Sequence, residues 1–245
     1  MQKETPQQHT TSVIQPPAPH LETTGTLFQD KTTITMEAAF DNLEIRYSLD
    51  GSEPTHQSTI YTQPITIAQS SLLTARAFTS DGRASRPVKI QFRKMEPQSP
   101  VKVKKTEEKL QYSYYEGSWE MLPDFSKLQP VKKGFTSVVG LDEIVPRNEH
   151  FATVLEGYVE IRRTGLHTFY LNSDDGSKLF LNDELIINHD GDHSAIKKTG
   201  QSILKEGKHK IRIEYFQGGG GKFLQAGIVH DLGGDMPFSP GQLSH

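Results

Sequence analysis

The sequence predicts an all-β chain built as two β-sandwich domains. Stretches of roughly five to nine residues with apolar side chains at alternate positions recur along it, the pattern of half-buried strands. Gly, Asp, Asn and Pro separate these stretches at intervals that suit sandwiches or barrels. No stretch carries the apolar period of a helix. Two shifts of composition divide the 245 residues. Residues 1–20 are rich in Gln, Thr, Pro and His and read as a flexible tether, because so little apolar surface cannot offset the entropy of ordering. Residues 94–109, within "RKMEPQSPVKVKKTEEK", carry two prolines and alternating charge and read as an interdomain linker. Domains at 21–93 and 110–245 are left.

In the first domain, "LEIRYSL" alternates, with Leu43, Ile45, Tyr47 and Leu49 on one face and Glu44, Arg46 and Ser48 on the other. "DGSEPT" supplies turn chemistry, with Gly51 free to take positive φ and Pro54 presetting its own. "SLLTARAFTSDGRASRPVKIQF" reads as strand, Asp81-Gly82 turn, strand. In the second domain Val159 and Ile161 share a face. Leu166, Thr168 and Tyr170 point one way and His167, Phe169 and Leu171 the other, with Gly165 punctuating this pair of strands. Asn182-Asp183 fits a two-residue hairpin loop between "KLFL" and "ELII". In "GKHKIRIEYFQ", Ile211, Ile213 and Tyr215 share a face. The four glycines of 218–221 can only be a loop, and "FLQAGIV" returns as a final strand.

Composition excludes several functions. Charged residues make up 23% and the formal net charge is −3, so there is no basic footprint for nucleic acid. A hydrophobic content of 34% and a mean hydropathy of −0.56 are low for a globular enzyme and suit modest β-domains with polar tails. The absence of cysteine excludes disulfide staples, thiolate chemistry and Cys-ligated zinc. No apolar run approaches the ~18 residues of a membrane helix, so no transmembrane segment is expected. "MQKETPQQHTTSVIQPPAPH" also lacks the apolar stretch of a signal peptide. A targeting segment or a larger upstream part is therefore expected before this sequence.

Two resemblances sharpen the expectation. "IRYSLDGSEPTHQSTIYTQPITI", followed by "LTARAFTSDGRASRPVKIQF", resembles the small immunoglobulin-like domain in the C-terminal region of chitobiases and β-hexosaminidases. That resemblance implies an accessory module beside a catalytic barrel, and Asp50 and Glu53 read as turn residues. "YYEGSWEMLPDF", "GYVEIRRTGLHTFYLNSDDGSKLFLNDELIINHDGDH" and "GKHKIRIEYFQGGGG" resemble the protective-antigen-type domain, a twisted β-sandwich found in adhesins and attached to glycosidases.

The candidate site residues follow from "SDDGS". In an ordinary strand, adjacent side chains point to opposite faces, so Asp174 and Asp175 would not converge. The second resemblance implies a cis pair that holds one calcium ion, which also receives two sugar hydroxyls, a chemistry that suits calcium's flexible shell of oxygens. Asp174 and Asp175 are thus the metal candidates and Ca2+ the candidate cofactor. The sequence departs from the family in the later loop, where relatives supply further acidic ligands. Here "YFQGGGGKF" offers only Gln217 and backbone carbonyls, and Lys222 would repel a cation. The alternative is a structural turn, capped by Asp174, in which Gly176 takes positive φ. Loop aromatics could stack on sugars: Tyr114, Tyr115, Trp119, Phe216 and Phe223, with Trp119 expected in the core. His193, in "NHDGDH", is expected to pack beside the aspartate turn. The carbohydrate-binding candidates are therefore Asp174, Asp175, Gln217, Phe216, Phe223 and His193.

No catalytic residue is assigned. A glycosidase needs two carboxylates ~5–9.5 Å apart across a cleft, and only Asp190 or Asp192 could be set against the aspartate pair for that role. The expected function is a non-catalytic carbohydrate-binding or positioning region of an exported bacterial glycoside hydrolase, with a β-N-acetylhexosaminidase as the parent. Its expected partners are glycans or polysaccharide and an upstream catalytic domain, and its place periplasmic, outer-membrane-anchored or secreted. A self-standing surface lipoprotein with an adhesin role, a pure spacer, and a hydrolase in its own right are the alternatives.

Overall fold

The computed structural model describes residues 15–104, 106–230 and 233–245. Residues 1–14 of the expected tether lie outside this range. The chain divides into two units, 1–94 and 95–245. Among the described residues the regular structure is strand, apart from two single 3₁₀ turns at Phe125–Lys127 and Pro240–Gln242. No helix is long and apolar enough to cross a membrane.

The first unit contains β1 (His20–Thr23), β2 (Leu27–Phe28), β3 (Thr32–Glu37), β4 (Glu44–Ser48), β5 (Thr59–Ile60), β6 (Ile65–Ile67), β7 (Ser71–Phe78) and β8 (Val88–Lys94). One sheet runs β1-β3-β6 and the other β2-β8-β7-β4-β5. Alternation places Ile34 and Met36 of β3, Ile45 of β4, Leu73 and Ala75 of β7 and Phe92 of β8 in one core. Leu49 departs from the expected face: β4 ends at Ser48, and Leu49 is exposed at the turn. Gly51 (φ +84°) and Gly82 (φ +94°) take the left-handed conformations their turns require. Asp50 accepts from the Ser52 amide (2.9 Å) and hydroxyl (2.6 Å), while Glu53 pairs with Arg76 at 2.5 Å, so both acids are occupied locally.

The second unit contains β9 (Leu110–Glu116), β10 (Lys132–Thr136), β11 (Phe151–Ile161), β12 (Gly165–Asp174), β13 (Ser177–Leu181), β14 (Glu184–His189), β15 (Ile196–Leu204), β16 (Gly207–Gln217), β17 (Phe223–Val229), β18 (Asp235–Pro237) and β19 (Leu243–Ser244). One sheet is ordered β10-β9-β11-β16-β13-β14, with β19 paired onto β11; the other is ordered β15-β12-β17-β18. The antiparallel β11–β16 pair runs unbroken from Phe151↔Gln217 to Ile161↔Gly207. Its inward side chains, including Leu155, Val159, Ile211, Ile213 and Tyr215, meet Phe169 and Leu171 from β12. The Asn182-Asp183 hairpin loop has both residues at positive φ (48° and 69°), the backbone that matches strand twist in a two-residue loop.

Within the stretch 94–109, expected to be a linker, Lys94 still belongs to β8, and Gln98 and Val101 are bonded along the second unit. The Gln98 amide donates to the Ile203 carbonyl and the Lys205 amide to the Gln98 carbonyl, both at 2.9 Å. The Gln98 side chain reaches Glu184 (2.6 Å) and Asn182 (2.7 Å), and Val101 donates to the Lys208 carbonyl (2.8 Å). Prolines and charges described the segment's composition correctly but not its partners, which come from residues about 80–110 positions away.

Gly227 shows how tightly the smaller sheet is packed. A Cβ there would run into the Met236 carbonyl and the Tyr170 ring. Gly227→Ala is expected to destabilise the unit by about 1–3 kcal/mol. Gly241→Ala, where no atom lies within 4 Å, is the control, and urea unfolding of both measures the difference.

Candidate functional site

"SDDGS" is the place where the chain passes from one sheet to the other. Asp174 ends β12 in the smaller sheet, and Ser177 begins β13 in the larger. The Ser173 and Ser177 hydroxyls close the base of this turn at 2.7 Å. The Asp174–Asp175 peptide bond is cis. Gly176 is not at positive φ, contrary to the turn expectation. Glycine is needed for a different reason: a Cβ would strike the Phe216 ring and the Gly191 backbone.

Asp175 is buried, with 2% of its surface exposed. Its Oδ1 accepts from the His193 amide (3.1 Å) and its Oδ2 from the Gly218 amide (2.9 Å). One carboxylate thereby ties the loop after β14 to the loop after β16. Asp192 bonds to the same carboxylate. That hydrogen bond, and then the negative charge of Asp175, raise the Asp192 pKa, because one carboxyl can donate to another only while it holds its proton. Asp190 faces elsewhere: its Oδ1 accepts from the Leu122 amide (2.7 Å) and its Oδ2 pairs with Lys178 (2.7 Å). A catalytic pair across a cleft is therefore not formed. Asp192 is bonded directly to Asp175, and Asp190 is neutralised by a lysine.

Asp174 is half-buried, and its carboxylate accepts no hydrogen bond among the described residues. Its Oδ2 lies 3.6 Å from where a Cβ of Gly221 would stand, so it faces the glycine loop. Its main-chain carbonyl accepts from the Tyr215 hydroxyl, which also meets Gln217 Oε1. Burial first, and then the charges of Asp175 and Asp174, push Tyr215 ionisation far up, so it stays a donor. Gln217 Nε2 donates to the Gly219 carbonyl (2.9 Å). The loop is held from outside as well, by the His150 amide on the Gly218 carbonyl (3.1 Å) and by Glu149 Oε1 accepting from the Gly220 amide (3.2 Å).

The expected site residues meet different fates. Asp174, Asp175, His193 and Gln217 converge. Gln217 is buried with both ends of its amide engaged, so it shapes the loop rather than facing solvent. His193 gives its backbone amide to Asp175, and its ring stacks on His189 with centroids 3.8 Å apart. Phe223 is the register partner of Asp174 across β12–β17 and is 41% exposed, so it offers a face at the rim. Phe216 does not: it is buried with Tyr115, Phe125, Ala152 and Val154 beneath Trp119, Leu122 and Leu128. Tyr114 and Tyr115 lie in β9 and are buried, and Trp119 is half-buried with its ring filling the space over Gly117. Sequence reasoning missed the Asp192 contact, the Tyr215 bridge and Glu149. Only Tyr215 carried a signal, as a phenol on the buried face that it shares with Ile211 and Ile213.

The Asp174 carboxylate and the carbonyls of the glycine loop are hard oxygens, the type that suits calcium over transition metals, while the His193 ring faces backbone carbonyls. Among the described residues, no group of three or more His, Asp or Glu side chains is placed to hold a metal ion. A calcium ion here would rest on Asp174, with carbonyl and ligand oxygens completing its shell.

Two substitutions separate scaffold from surface. Asp175→Ala strands two buried amides and should cost about 2–4 kcal/mol in urea unfolding, whereas Asp174→Ala should change stability by less than about 1 kcal/mol. Asp192 supplies a pH signature. A raised carboxyl pKa stabilises the fold fully below the unfolded Asp value, and this contribution is lost as pH rises through the folded value. Asp192→Asn should remove that component from a plot of Tm against pH.

Two domain families match this chain, one within each unit. Residues 23–89 match the chitobiase/beta-hexosaminidase C-terminal domain and residues 142–237 match the PA14 domain. A beta-hexosaminidase of Porphyromonas gingivalis is 26% identical; the match covers 87% of this chain but 28% of that protein. Among solved structures, the PA14 sugar-binding domain from an RTX adhesin aligns with TM-score 0.49 at 16% identity, over 57% of this chain and 99% of that one. The Epithelial Adhesin 9 A domain from Candida glabrata, in complex with Galb1-4GlcNAc, aligns with TM-score 0.48 at 13% identity, over 61% and 96%.

Proposed function

We propose that this chain is a carbohydrate-binding accessory region of an exported glycoside hydrolase acting on hexosaminides, and that its second unit binds glycan at the aspartate turn. The observation that carries the reading is the mouth itself. Among the described residues, Asp174 presents a carboxylate with no partner, Phe223 stands beside it as an exposed ring, and glycines 218–221 of the facing loop offer backbone only. Carboxylates accept from vicinal hydroxyls, an aromatic face stacks on the apolar side of a sugar ring, and glycines leave room for the ligand. The matched domain families and the hexosaminidase relative support the same class of ligand and the hydrolase parent. Calcium belongs to this proposal as the bridge between Asp174 and a pair of sugar hydroxyls.

Isothermal titration with N-acetylglucosamine- and galactose-containing glycans, with calcium and with chelator, tests the reading. Binding that is lost in Asp174→Asn while the unfolding midpoint is kept is the expected outcome. Phe223→Ala should weaken binding roughly tenfold, the worth of about 1.4 kcal/mol of stacking. Binding unchanged by chelator would remove calcium but keep the site. No binding of any glycan would leave a spacer.

A further inference from the structure

A second concavity lies at the other end of β12. A cleft of about 570 Å3 opens between the end of β11, the start of β12, the end of β17, β18 and the 3₁₀ turn at Pro240–Gln242. From Leu166, at this end, to Asp174 is eight residues of strand, or about 26 Å at ~3.3 Å per residue, so it is separate from the aspartate turn.

The chemistry of this cleft differs from that of the mouth. Among the described residues no Phe, Tyr or Trp lines it, so it offers no stacking platform for a sugar ring. Its apolar surface is aliphatic and sulfur-bearing: Leu166 is 39% exposed and Met236 48%, with Ile161, Ile228 and Val229 below them. Flexible Met and branched aliphatics suit an alkyl or acyl chain. The cleft volume falls within the range of small-molecule sites. Arg162 stands at the rim and forms no ion pair or hydrogen bond among the described residues.

The rim is also held in place. The His167 ring lies 2.9 Å from the Arg163 carbonyl, and the Glu206 amide donates to the Thr164 hydroxyl (3.0 Å). Gly165 turns the chain at φ +149° between them. Opposite, the Ser239 carbonyl accepts from the Gln242 amide (2.9 Å), and the Phe238 amide donates to the Ala226 carbonyl (3.1 Å). The walls are therefore formed before any ligand arrives, which lowers the ordering cost of binding.

We propose that this cleft binds an amphipathic organic anion, with its acyl or alkyl chain over Leu166 and Met236 and its carboxylate or sulfate on Arg162. The guanidinium fork matches either head group in two parallel hydrogen bonds, and the aliphatic floor takes a tail of several carbons.

The probes are octanoate, octyl sulfate, octyl glucoside and acetate, each below its micellar concentration, titrated into the full chain and followed by calorimetry and saturation-transfer NMR. Octanoate and octyl sulfate should bind, and octyl glucoside and acetate should each bind at least about tenfold more weakly, since one lacks the head-group pair and the other the buried tail. Arg162→Ala should weaken octanoate at least about fivefold, with Arg162→Lys in between. Leu166→Asp should abolish binding, with circular dichroism confirming the fold. Equal binding of octyl glucoside and octanoate, equal binding of acetate and octanoate, or indifference to Arg162→Ala would each overturn the proposal. Asp174→Asn should leave octanoate binding unchanged, so failure here and failure of the glycan reading are told apart.

Discussion

The buried carboxylate of Asp175 is the constraint on which the mouth of the second unit depends. A carboxylate removed from water must have its lone pairs occupied. Here two main-chain amides occupy them, one from the loop after β14 and one from the loop after β16. Among the described residues, no hydrogen bond runs directly from one of these loops to the other. The Asp175 side chain, at the crossing between two sheets, bonds to both loops and so joins them. The rest of the mouth is arranged beside that anchor: Asp192 leans on it, Gly176 leaves room for the Phe216 ring and the Gly191 backbone, and Tyr215 and Gln217 set the loop beyond it.

Adjacent residues thus divide labour. Asp175 has its hydrogen-bonding capacity spent internally, while Asp174 has its own left over. The same division recurs in the aromatic pair of the same region. Phe216 fills the space beneath the turn, and Phe223 stands at its edge. One member of each pair holds the shape, and the other is the one proposed to meet the ligand. Substitutions at the two kinds of position should therefore fail in different ways, one through stability and the other through affinity.

Much of this was legible in the sequence. Alternation found the β11, β12 and β16 faces, and Asn182-Asp183 and Asp81-Gly82 announced their turns through residues that tolerate positive φ. What escaped was non-local. Alternation puts Phe216 on the face opposite Tyr215, and that face looks exposed until the segment around Trp119 and Phe125 is found to cover it. Gln98 sits between prolines in a charged stretch, and nothing near it reveals that its partners are Asn182 and Glu184. Asp190 and Asp192 are indistinguishable as residue types. They differ because a lysine reaches one and a buried aspartate reaches the other.

The glycine loop has one further consequence. At Gly219 and Gly220 no atom stands within 4 Å of where a Cβ would be, and Gly219 is not held at positive φ, unlike Gly220 at +84°. Position 219 is therefore an unwritten letter at the edge of the mouth. A side chain placed there would project at the mouth without meeting the scaffold that Asp175 holds together. If the proposed function holds, a lineage or an engineer could change what this surface recognises by a single codon at that point, since the side chains that fix the loop are all elsewhere.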